Sequence, residues 1–209
     1  MGSIRFAAVG AVALTTCVVA GASFAQPPAP PAAAPAAAPG VVVAAPHYVF
    51  IPMEIAVNKP AAEVWAKVGH FCDLGTWMRA PCVLTGPDDT LGTVRTIAGR
   101  IKEVLVGKTT LSYTYTQPVG SNTAPYNLYH GTLEAVPVNA TSSKLVYNLV
   151  FDNSMLADDA ARARDITSKT NQFNGALANM KTLAETGAMP PAPAAPARGG
   201  GAAPAGRGG

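Results

Sequence analysis

The chain predicts an α+β fold in which an antiparallel sheet packs against one long helix, and three observations carry that prediction. Short strand-like runs separated by turn residues fill the stretch from Cys82 to Phe151. One long amphipathic segment, Ala157 to Thr186, follows them. The stretch from His47 to Gly187 holds no internal repeat and is long enough for one core. A sheet with one apolar face and a helix with one apolar stripe bury those surfaces against each other.

The elements come in order. In Tyr48 to Val57 the residues Val49, Ile51, Met53, Ile55 and Val57 alternate on one face, with Glu54 on the other. Asn58-Lys59-Pro60 then starts a helix, with Asn58 or Lys59 at the cap and Pro60 in the first turn, where its missing N–H costs nothing. Val64, Trp65 and Val68 form its apolar stripe, and Gly75 permits a tight turn before Trp77. Strands are expected at Cys82 to Leu84, Gly92 to Ile97, Ile101 to Val106, Leu111 to Thr116, Tyr126 to Val138 and Lys144 to Phe151. Turns are read at Gly86-Pro87-Asp88-Asp89, Gly99, Gly107-Lys108 and Val138-Asn139-Ala140. Short loops between successive strands imply antiparallel pairing. In the last helix Ile166, Phe173, Leu177, Met180 and Leu183 recur at helical spacing, and Gly187 is placed to end it, with Pro190 just beyond.

The termini read differently. Arg5, the apolar run Phe6 to Ala22 and Ser23-Phe24-Ala25 follow the pattern of a signal peptide cleaved after residue 25. Residues 26–46 read as a semi-rigid Pro/Ala-rich linker, and residues 188–209 as a disordered Pro/Ala/Gly/Arg tail. No integral membrane segment is expected after signal cleavage.

The formal net charge of +3 belongs to these ends. Three of the 15 basic residues, Arg5, Arg198 and Arg207, lie there, and the remaining basic residues equal the 12 acidic ones. A neutral domain carries no electrostatic footprint for nucleic acid, so none is expected as a partner. No P-loop, dinucleotide fingerprint, nucleophile elbow or zinc-protease motif is present, and no cofactor is expected. Cys72 and Cys82, the two cysteines left after the signal, favour a disulfide in an exported protein. The rival reading, a metal site with His70, lacks a fourth ligand, so no metal is expected. His70 itself ends the first helix, where a cation meets the helix C-terminus favourably.

The string Phe71-Cys72, Trp77, Cys82, followed by Gly92-Thr93-Val94-Arg95 and Glu103, resembles the START/Bet v 1-like superfamily (SRPBCC; polyketide cyclase/dehydrase-like). Its aromatic and cysteine spacing looks like that of an exported bacterial subgroup. The resemblance covers residues 47–187 and implies a helix-grip fold, a curved antiparallel sheet wrapped around a long C-terminal helix with a hydrophobic cavity between them. With the leader, it implies a periplasmic or secreted protein. Arg95, Glu103, Tyr113 to Tyr115 and Pro125-Tyr126 also resemble the ligand-binding sheet of plant abscisic-acid receptors, where a glutamate matching Glu103 faces the pocket. The hairpin Ile97-Ala98-Gly99-Arg100 is too short for the receptors' gate loop, and hormone recognition is not implied.

Glu103 shares strand parity with Ile101 and Leu105, and a carboxylate on an apolar face must pair or shift its pKa upward. Arg95 is the expected partner. Two readings stay open: a polar ligand anchor or general base, and a structural Arg–Glu pair. Tyr113, Tyr115 and Tyr147 are expected to line the cavity, with Trp77, Phe151, Phe173 and Leu177 beside them. His130 is a candidate acid or base, set against a structural histidine.

Three functions follow. The first is an exported protein binding a small hydrophobic or amphipathic molecule, such as a lipid, polyketide or aromatic compound. The second is a polyketide cyclase/dehydratase-like enzyme with Glu103 as general base. The third is an envelope interaction protein with a filled core. The sequence leaves the oligomeric state open.

Overall fold

The computed structural model describes residue 43 and residues 45–119 and 126–192. The expected signal peptide, most of the linker and most of the tail lie outside the described residues. The elements run β1 (Tyr48–Val57), α1 (Ala61–Val68), α2 (Leu74–Trp77), β2 (Cys82–Thr85), β3 (Val94–Ile97) and β4 (Ile101–Lys108). They continue with β5 (Ser112–Thr116), β6 (Tyr129–Asn139), β7 (Ser142–Asp152) and α3 (Asp159–Thr186). The strands form one seven-stranded antiparallel sheet in the order β1-β7-β6-β5-β4-β3-β2.

Alternation decides which face meets the core. Val49, Ile51, Met53 and Val57 of β1 are buried, as are Leu145, Tyr147, Leu149 and Phe151 of β7. On β6 the inward set is Tyr129, Gly131, Leu133 and Ala135. Pro137 is tolerated in β6 because β5 pairs with β6 only from His130 to Glu134, so no second neighbour needs its missing N–H.

Helix α3 closes that face with Phe173, Ala176, Leu177 and Met180 buried, while Ile166 and Leu183 pack at the margins. The Asp158 carboxylate caps its start by accepting from the Ala161 N–H at 2.6 Å. Gly187 ends it at φ 78°, a left-handed conformation that suits glycine, and donates its N–H to the Leu183 carbonyl. Among the described residues no helix is long and apolar enough to cross a membrane.

Several boundaries differ from expectation for local reasons. Pro60 is itself the cap of α1, one residue before the first helical turn. The tight turn expected at Gly75 before Trp77 is the short helix α2, Leu74–Trp77. Gly107 does not turn the chain. It sits at a bulge where β4 pairs with β5, and the strand continues to Lys108. Strand β6 begins at Tyr129 rather than Tyr126, whose hydroxyl donates to Asp165 Oδ1 on α3 at 2.5 Å.

Cys72 and Cys82 are joined, with their Cα atoms 5.7 Å apart, which ties the α1–α2 connection to β2. The expected disulfide is present.

Candidate ligand cavity

A cavity of about 280 Å³ lies between the inner sheet face and α3. Its apolar wall comes from Leu74, Met78, Ile97, Ile101 and Phe173, and its amphipathic wall from Tyr115, Tyr126 and Tyr129. Glu103, Gln117, Arg100, Lys169 and Gln172 supply polar groups. A mostly apolar hollow with a few convergent polar groups has the make-up of a small-molecule site.

The polar floor is built on β3 and β4. Arg95 and Glu103 stand directly opposite each other in register, so both side chains leave the same face of the sheet. Arg95 is fully buried and Glu103 nearly so. Arg95 Nε donates to Glu103 Oε2 at 2.7 Å, and Nη2 lies 2.6 Å from the same oxygen as an ionic contact without hydrogen-bond geometry. Arg95 Nη1 donates to the Phe71 carbonyl at 2.6 Å, which holds the α1–α2 connection against the sheet. The guanidinium also lies over the rings of Phe71 and Tyr115, 4.3 and 4.7 Å from their centroids. Burial alone would lower the Arg95 pKa, but Glu103 together with Tyr113, Tyr147 and Tyr115 raises it and the guanidinium stays charged. The other Glu103 oxygen accepts from Gln117 Nε2 at 3.0 Å.

Tyrosines form the next layer. Tyr115 is buried on the wall, and its hydroxyl lies 3.0 Å from that of Tyr147. Burial pushes both phenols well above their ordinary pKa, so they remain neutral hydrogen-bonding groups. Tyr129 stacks on Phe151, with ring centroids 5.8 Å apart.

Of the residues expected to line the cavity, Glu103, Tyr115 and Phe173 are on its wall. Arg95 stands behind Glu103. Tyr113 is enclosed by Trp65, Phe71 and Arg95, and Tyr147 packs on Trp77 and Phe173. Trp77, Phe151 and Leu177 are buried core side chains off the wall. His130 is not on the wall: Tyr129, Gly131 and Leu133 take the buried positions of β6, and His130 alternates to the other face. Burial lowers its pKa, and a backbone hydrogen bond with Tyr115 opposes that shift.

Sequence reasoning did not place Tyr126, Tyr129, Gln117, Gln172 or Lys169 on the wall, and Tyr126 entered only through the receptor resemblance. For Lys169 a signal existed. It sits three residues after Ile166 and four before Phe173, on the helix stripe itself, where a lysine is out of place.

No family model matches the chain, and no curated protein matches it. Solved structures do. A solution structure from Thermobifida fusca is 26% identical, spans 65% of this chain and 95% of its own, and has a TM-score of 0.52. The protein XoxI from Bacillus cereus is 20% identical over 64% of this chain and 94% of its own, with a TM-score of 0.54. The Zhui aromatase/cyclase from Streptomyces sp. R1128 is 17% identical over 68% and 98%, with a TM-score of 0.46. With seven antiparallel strands in the order β1-β7-β6-β5-β4-β3-β2 gripping a 28-residue C-terminal helix, the chain has the helix-grip fold that the resemblance implied, a fold it shares with the Thermobifida fusca and Bacillus cereus structures.

Proposed function

We propose that this protein is exported and binds a small amphipathic molecule, with an aromatic body, in the cavity between its sheet and α3. The observation that carries the reading is the wall itself. Tyr115, Tyr126, Tyr129 and Phe173 converge with the polar groups of Glu103, Gln117 and Lys169 on one hollow of about 280 Å³. Each buried methylene of a guest would contribute about 0.8 kcal/mol, and the polar groups would fix its orientation. In this reading residues 1–25 are a removed signal peptide, 26–46 a linker, 47–187 the binding domain and 188–209 a tail. The Cys72–Cys82 disulfide supports an oxidising compartment, periplasmic or extracellular.

The cyclase/dehydratase reading needs a free base. Both Glu103 oxygens are engaged, one by Arg95 and one by Gln117, which favours Glu103 as a fixed polar anchor. The hollow weighs against a filled-core interaction protein.

Native mass spectrometry of residues 26–209, purified from an oxidising compartment, tests the reading. The expected result is an excess mass that departs on denaturation, or one that appears when small aromatic compounds are added. A protein that stays at its apo mass throughout, with unshifted amide resonances for the cavity wall, would overturn it.

A further inference from the structure

The cavity wall carries two cations, Arg100 and Lys169, and one carboxylate, Glu103. Glu103 is already matched by Arg95 behind the wall, so its charge is neutralised within the protein. Arg100 is exposed to water. Lys169 is not: its side chain retains only 16% of its exposure.

The surroundings of Lys169 Nζ are unusual for an ammonium. The rings of Tyr126, Tyr129 and Phe151 lie 4.7, 5.2 and 5.5 Å away. Aromatic faces attract a cation but do not replace the acceptors that its three N–H groups lose with water. The nearest carboxylate oxygen, Asp165 Oδ1, is 3.9 Å away, beyond hydrogen-bonding reach, and already accepts from Tyr126. Among the described residues Nζ therefore makes no hydrogen bond. Partial burial lowers its pKa, with Asp165 pulling the other way, as expected for an amine partly withdrawn from water.

We propose that Lys169 seats the carboxylate of an aromatic carboxylic acid whose ring packs against Tyr115, Tyr129 and Phe173. An anionic oxygen there would supply the missing acceptor in a charge-assisted hydrogen bond. Asp165 gives the ammonium a counter-charge at 3.9 Å but no hydrogen bond, so a guest carboxylate would add the close acceptor, and the ring-rich wall suits a flat apolar body. The inference rests on the cavity being a ligand site and narrows that site to a monoanionic guest.

The test compares 1-naphthoate with its neutral analogue 1-naphthamide by calorimetric titration of the purified protein. Naphthoate is expected to bind at least about tenfold more tightly, the scale of one charge-assisted hydrogen bond. K169M should bring the ratio of affinities close to one, and K169R should keep the preference. Equal affinities in the wild type, or a preference that survives K169M, would overturn the seat while leaving the cavity a binding site. Binding of neither probe would count against both. If K169M does not fold, K169Q takes its place, because Arg100 on the same wall keeps the wild-type ratio from assigning the seat by itself.

Discussion

Arg95 and Glu103 face each other across β3 and β4 in exact register and form a buried ion pair, with Arg95 fully enclosed and Glu103 holding the edge of the cavity. Taking two charges out of water is costly, and the geometry repays this only while both partners remain. E103Q leaves the guanidinium buried beside a neutral amide, and a loss of about 3–5 kcal/mol in urea-unfolding stability is expected. R95M/E103L removes both charges and should lie much closer to the wild type. Equal losses in the two variants would show that the strands tolerate an unpaired charge here.

Tyr115 depends on the absence of a side chain at Gly131. The two residues are cross-strand partners, and a Cβ at Gly131 would lie 2.4 Å from the Tyr115 ring and hydroxyl. The ring is fully buried, with its hydroxyl on Tyr147, so it has nowhere to retreat. G131A should therefore cost about 1–3 kcal/mol, the range for overpacking a filled core. Thermal unfolding measures it. An unchanged melting temperature would mean that the ring finds a second rotamer.

How much of this was legible in sequence depends on whether the cue was periodic. β1 and the stripe of α3 followed from alternation and helical spacing, because burial of one face dictates those patterns. The Arg95–Glu103 pairing followed from parity on two short strands. The cavity wall did not follow. Tyr126 lies before β6 with its hydroxyl on Asp165, some forty residues on in sequence, and both Tyr126 and Tyr129 border the hollow, which strict alternation from Tyr126 does not predict. Such alternation would put His130, not Tyr129, on the inner face. Which of five tyrosines borders a hollow and which fills it is a question of three-dimensional packing that no spacing encodes.

The disulfide holds the element that carries the Arg95 acceptor. Cys72 follows Phe71, whose carbonyl receives Arg95 Nη1, and Cys82 opens β2. Closing a loop of sequence separation 10 restricts the unfolded chain by about 2–3 kcal/mol. C72A/C82A should lose about that much in denaturant unfolding, and reduction of the wild type should match it. A reduced protein as stable as the oxidised one would show that the Phe71 connection holds without the bond.

Asp152 predicts the acid behaviour of the fold. It ends β7, fully buried, and accepts from the His47 N–H at 2.9 Å, the Ser154 N–H at 2.9 Å, the Ser154 hydroxyl at 3.0 Å and Asn127 Nδ2 at 3.3 Å. Burial alone would raise its pKa, but these hydrogen bonds outweigh it and hold the carboxyl below its ordinary 3.8. The unfolded chain thus takes up the proton first as pH falls. The stabilisation is full above the ordinary value and is lost as pH drops through the lower folded one. D152N cannot accept all four bonds, so it should be less stable at neutral pH by about 1–3 kcal/mol. Its stability should also fall less between pH 5 and pH 2 than that of the wild type, a window of about one to two units on either side of the ordinary carboxyl value. Parallel pH profiles for the two proteins, measured by urea unfolding at each pH, would assign the acid sensitivity to other carboxylates.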